Sequence, residues 1–242
     1  MAKEKTSVSL RRTAGEVKRY RQYRKFIPIV LALLLLILII GYVLSVLYMR
    51  FGAFTVMVNK FDNLDYALTL SDTQTFKTNT SRLNADIFEK ITNISVNWLP
   101  EGLDNVDGEH NGNNYIAYTF YARNEGRSTF SYTYDLYIAN MTLEIEKAVR
   151  VRLYINGKYV DYAYPRTDGG EGPEPGTTAF MSRTTIVKDT IHDHAPGEFT
   201  KFTIVMWLEG DDPDCVDKIL GGEMKVDMKL DVLRSESSEE EA

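Results

Sequence analysis

Between Phe26 and Met49 the chain carries no charged side chain: FIPIVLALLLLILIIGYVLSVLYM, 24 residues. No other feature narrows the possible folds as far. A helix rises about 1.5 Å per residue, so such a segment spans roughly 36 Å, more than a bilayer hydrocarbon core of about 30 Å. A buried helix of a soluble domain would keep a polar stripe, and this stretch has none. It therefore reads as one transmembrane helix over 26–49, in contact with a lipid bilayer. Pro28 is placed in its first turn, where a missing N–H does little harm.

The flanks set a direction. Residues 1–25 hold nine basic side chains, among them Arg19, Arg21, Arg24 and Lys25 next to the apolar run, against Glu4 and Glu16. That balance of +7, taken from a chain total of −6, leaves −13 for the remainder. Short basic flanks stay on the cytoplasmic side, so residues 1–25 read as a cytoplasmic arm and residues 50–234 as an extracellular domain. The arm also suits anionic headgroups. A cleaved signal peptide is the other reading. It needs small residues before the cut, and neither Val43-Leu44-Ser45 nor Ala53, with Phe51 at −3, fits well. An uncleaved anchor is the expectation.

Beyond the membrane the hydrophobic period is two. In EMKVDMKLDVL, Met224, Val226, Met228, Leu230 and Val232 share one face, and Glu223, Lys225, Asp227, Lys229 and Asp231 the other. That alternation marks a strand with one dry face. NYIAYTFYAR (114–123), TFSYTYDLYI (129–138), VRVRLYI (149–155), KYVDYAY (158–164) and FTKFTIVMWLEG (199–210) follow the same rule. Asn156-Gly157, between two of these runs, predicts a tight hairpin. Weaker strands are expected at 54–58, 66–70 and 94–99. Short helices are expected at 81–91, 142–148 and 212–220. The pattern predicts an all-β ectodomain, a jelly-roll-like antiparallel β-sandwich with a few short helices. About 190 residues suffice for one such core. The single cysteine excludes an internal disulfide. The segment 165–178, rich in Gly, Pro and acid, reads as a mobile loop, and 235–242 as an acidic disordered tail.

Few residues suggest chemistry. Asp211, Asp212, Asp214 and Asp217, in WLEGDDPDCVDKILGG, offer hard oxygen ligands, and calcium is the one cofactor considered. The same stretch reads more simply as a connector, with Asp212 capping a short helix that starts at Pro213 and Gly221-Gly222 ending it. His192 and His194 fall on one face of an extended segment, but spacing implies no third zinc ligand. There is no nucleophile motif and no phosphate loop, so no catalytic residue is assigned and the protein is not read as an enzyme. The acidic exterior argues against nucleic acid. Of the 15 tyrosines, Tyr115, Tyr121, Tyr137 and Tyr154 fall opposite the dry faces. They reflect either strand propensity or a sticky outer sheet.

The segment TIVMWLEGDDPDCVDKILGGEMKVDMKL resembles the closing part of TasA/camelysin-type surface proteins of Gram-positive bacteria, through Trp207, Glu209, Gly210, Asp212, Pro213, Cys215 and Gly221. YTFYARNEG (118–126) is also similar to a strand and turn of that family. The resemblance is clearest over 198–232 and looser over 113–165. It implies a jelly-roll sandwich on the cell surface that forms biofilm matrix fibres, each subunit donating an N-terminal strand to the next. Some members are described as casein-cleaving metalloproteins, but no such residue carries over. The stretch in the donor's place is 52–58, with Phe54, Val56 and Val58 on its apolar side. Family subunits are released by cleavage, whereas here the helix reads as intact. The expected role is a membrane-anchored fibre subunit, fibre base or adhesive surface protein, with itself or other matrix proteins as partners. The alternatives are a ligand-binding or sensing ectodomain signalling through the basic arm, and a metal-dependent peptidase.

Overall fold

A computed structural model describes residues 14–50, 54–58, 65–85, 91–167, 169–170 and 172–233. The tail 235–242, most of the basic arm and residues 86–90 lie outside them. The chain divides into two compact units, Met1–Arg50 and Phe51–Ala242.

The first unit is one helix, α1, Ala14–Arg50. Its apolar span, Phe26–Leu44, has a mean hydropathy of 3.1 and none of it is buried. It is long and apolar enough to cross a membrane. The helix begins twelve residues before the uncharged run, so Pro28 lies in its interior and not in a first turn. There it removes one i→i−4 hydrogen bond, to the carbonyl of Arg24. Arg19, Arg21, Arg24 and Lys25 lie on the N-terminal part of α1, and their side chains are outside the described residues.

The second unit is a β-sandwich. In chain order its strands are β1 (Phe54–Val58), β2 (Leu68–Ser71), β3 (Arg82–Asn84), β4 (Gly108–Glu109), β5 (Tyr115–Asn124), β6 (Phe130–Met141), β7 (Val149–Ile155), β8 (Lys158–Ala163), β9 (Thr178–Ala179), β10 (Thr185–His194), β11 (Phe199–Leu208) and β12 (Met224–Leu233). One sheet has the order β10-β6-β12-β1-β3, and the other β2-β5-β11-β7-β8-β9, with β4 beside β5. Both are mixed and not purely antiparallel, because β1 runs parallel to β12 and β9 parallel to β8.

Period-two alternation explains the packing. Phe130, Tyr132, Tyr134, Leu136 and Ile138 of β6 face Phe120, Phe202, Ile204 and Val151 of the other sheet in one core. Asn156 (φ 50°) and Gly157 (φ 84°) make the β7–β8 turn with the positive φ pair that such a hairpin needs.

Other expectations are revised. Residues 82–84 form β3 where a helix was expected over 81–91. Residues 94–99 make one bridge, Ile94 to Glu209, and then a 3-10 turn, Val96–Trp98. The helices of 142–148 and 212–220 shrink to single 3-10 turns, Ile145–Lys147 and Asp217–Ile219. The strand β10 is an addition: its adjacent apolar pair Ile186-Val187 hides the alternation.

Candidate functional site

The strand after α1 is seated inside the five-stranded sheet. β1 pairs with β12 in register from Phe54↔Val226 to Val58↔Leu230, and with β3 from Thr55↔Asn84 to Met57↔Arg82. At its ends the Ala85 amide donates to the Phe54 carbonyl, and the Val58 amide to Ser81, both at 2.9 Å. Phe54 and Val56 are 0% exposed and Val58 8%. The Phe54 ring lies 5.7 Å from Tyr118 and 6.3 Å from Phe120 across the sandwich. Each such side chain contributes about 1.5–3 kcal/mol by burial. The three residues expected to form a donor strand thus complete their own domain. On the opposite face Thr55 and its register partner Asp227 are also buried. Burial raises the Asp227 carboxyl above its ordinary range, against the opposing pull of Lys225 and Arg82.

The acidic connector after β11 folds back on the sandwich. Glu209 Oε2 accepts from the Trp207 indole and from the Val96 amide, both at 3.0 Å. It thereby joins the strand end to the segment 94–99. The Asp212 carboxylate, fully buried, pairs with Arg150 of β7. Glu174, from the segment expected to be a mobile loop, lies 3.6 Å from the same guanidinium. The residues 172–178 are therefore packed down at one point. Asp212 does not cap a helix. Its Oδ1 accepts the Asp214 amide at 2.7 Å in a side-chain-closed turn, Pro213 is exposed, and the later 3-10 turn starts from Val216. Cys215 is half-buried, with the Asn93 amide 3.6 Å from its sulfur. Gly210 donates its amide to Ile94 at 3.1 Å, and Gly221 takes φ 78° on the way to β12. Trp207, Glu209, Gly210, Asp212, Cys215 and Gly221 thus form a joint between strands.

The candidate cation ligands are not gathered. Asp211 and Asp217 are exposed, and Asp214 accepts the Thr167 hydroxyl at 2.5 Å. Among the described residues no three His, Cys, Asp or Glu side chains converge on one point. His192 and His194 do not share a face either. Asp193 takes φ 53°, and the β10–β6 register slips between Ile191 and His194. His192 stays exposed, while His194 turns inward to 1% exposure. There Phe130 and Tyr132 pack edge-on to its ring at 6.2 and 5.2 Å. Among the described residues neither ring nitrogen makes a hydrogen bond of ordinary geometry, and Glu198 Oε2 is 3.9 Å away. Burial lowers the imidazole below its ordinary range, with Glu198 opposing. His110 bridges the carbonyls of Gly108 and Leu103 at 2.9 and 2.8 Å.

The outer face of the larger sheet is covered. Leu103 packs with Ala117, Tyr154, Val205 and Trp207, and Ile94, Val96 and Leu99 close over them. Tyr121 lies beneath Phe76 and Phe199 and donates to Asp107 at 2.5 Å. Tyr121 and Tyr154 are buried, Tyr115 and Tyr137 half-buried, so these four make no open aromatic sheet. Exposed apolar groups remain at Trp98 and at Tyr159 and Val160 of β8. Among the described residues β9 pairs with Tyr162 and Ala163 alone, leaving 158–161 as a sheet edge. The other long edge, β10, is blunted: Met181 Sδ and Asp189 Oδ1 take the amides of Lys188 and Thr190.

The sequence analysis did not foresee Arg150, read there as a wet-face residue, or the inward turn of His194. An arginine next to an acid-rich connector was the available signal for the first. For the second, only the bulge reveals it.

No family model and no curated protein matches the chain. Among solved structures, a β-glucosidase from Kluyveromyces marxianus in complex with glucose is similar at 12% identity and a TM-score of 0.23, over 47% of this chain and 11% of that one. A GH31 α-xylosidase from Xanthomonas citri is similar at 15% identity and a TM-score of 0.24, over 72% and 18%. This chain thus spans less than a fifth of either enzyme, and likeness at that level carries no argument about fold or activity.

Proposed function

We propose that this is a single-pass, membrane-anchored surface protein whose β-sandwich lies outside the cell and does structural or adhesive work, as the base of a fibre or as a surface module of its own. One covalent fact carries the reading. α1 ends at Arg50, and β1, an interior strand of the sandwich, begins at Phe54. Membrane anchor and hydrophobic core are separated by three residues. A cut within 45–53 frees the domain with its strand, and a cut after β1 removes part of the core.

The charge balance, +7 before the apolar run and −13 after it, supports an inside N-terminus. The resemblance to TasA/camelysin-type proteins supports the kind of work. In those proteins the N-terminal strand goes to a neighbour; here it fills its own sheet, which favours an anchored member over a travelling subunit. Partners on this reading are the bilayer and further copies or other surface proteins. The open edge at 158–161 suits strand addition, with Tyr159 and Val160 as side-chain contacts.

Protease shaving of intact cells tests the placement. The sandwich should be digested from outside while residues 1–25 stay protected. Digestion of the C-terminal half only after lysis overturns the proposal.

A further inference from the structure

The first and last strands of the sandwich are neighbours and run parallel, Phe54↔Val226 through Val58↔Leu230. Strand direction then decides where the chain leaves the domain. The N-terminal end of β1 lies beside the start of β12, at the end of the sandwich that holds the 209–223 connector. Leu233 lies at the opposite end. Had the two strands been antiparallel, both chain ends would leave together, and tension would peel one residue pair at a time. In the parallel arrangement tension runs along the strand axis and loads all the β1 pairings at once.

We propose that β1 is a load-bearing strand: pull between the membrane anchor and a contact on the far end of the sandwich shears β1 lengthwise against β12 and β3. This rests on the reading of α1 as a retained anchor, since only then does external load reach Phe54 through residues 51–53.

The side chains make slippage costly. A shift by one residue brings Thr55 and Met57 to the dry face and drives Phe54, Val56 and Val58 out of the core. The first shift that restores facing is two residues, about 6.6 Å along the strand, and every ladder bond is broken before it is reached. Both flanks of β1 resist together, because β3 pairs with Thr55, Val56 and Met57 on the other side. Backbone bonds from the Ala85 amide to the Phe54 carbonyl and from the Val58 amide to the Ser81 carbonyl lie at the two ends of the strand.

Single-molecule pulling on the full chain in detergent micelles tests this. In a Cys215→Ser background, handles are attached through Arg50→Cys with Leu233→Cys, or through Arg50→Cys with Glu223→Cys. The first pair shears β1, and the second, with both handles at one end of the parallel pair, peels it. A circular dichroism spectrum matching the parent qualifies each variant for pulling. At one loading rate the shear pair should rupture at a higher force than the peel pair, because it must break the β1 pairings together and not one at a time. Equal forces, or a weaker shear pair, overturn the proposal. Because no membrane enters the measurement, the result stands apart from whether α1 is retained in the cell.

Discussion

Two buried residues show what single side chains contribute. Asp212 meets Arg150 where both are out of water, with Glu174 at the margin. Asp212→Ala leaves a guanidinium buried without its main partner and should cost about 3–5 kcal/mol in chemical denaturation. Adding Arg150→Met should recover much of that loss; a double variant no more stable than the single would contradict the pairing. His194 acts in the other direction. Its folded-state affinity for a proton lies below the ordinary value of 6.5, so the unfolded chain binds the proton more readily. Stability is then whole above that pH and declines as pH falls below it. His194→Phe, packed beside Phe130 and Tyr132, should show a smaller drop in Tm between pH 7.5 and 5.5 than the parent. An equal drop would assign the decline to other groups, Glu198 among them.

Strands were legible where one face is dry and the other wet. The core residues of β5, β6, β7, β11 and β12 follow from alternation alone, and the β7–β8 turn follows from Asn156-Gly157. Legibility ended where a local pattern has no fixed meaning. Residues 81–85 carry too few apolar positions to separate a helix from a short strand, and the alternation of β10 is broken at both ends, by the adjacent pair Ile186-Val187 and by the bulge at Asp193. The connector was legible as a joint, but an Asp before a Pro suits a helix cap as well as the turn that Asp212 closes on the Asp214 amide, and its bond to β7 depends on Arg150, 62 positions away in sequence. Nor does sequence tell that β1 pairs parallel with the last strand: FTVMV states only that it is apolar. Its weight in the fold can be measured. A chain beginning at Asn59 lacks an interior strand and should lose its cooperative melt. A peptide carrying residues 52–58 should restore it, and the same peptide with Val56→Asp should not. A truncated chain that melts like the parent would show β1 to be dispensable.

At the scale of the molecule two solvents shape one chain. The helix carries an uncharged apolar span over Phe26–Leu44, and the sandwich has a closed core in a segment of net charge −13. The measurement that tests the account most directly is the N-terminal sequence, with intact mass, of the mature protein recovered from cells. Retention of the apolar helix, in material that stays with the membrane, is the predicted result. A mature chain starting within residues 45–53 and found free of the membrane would contradict it.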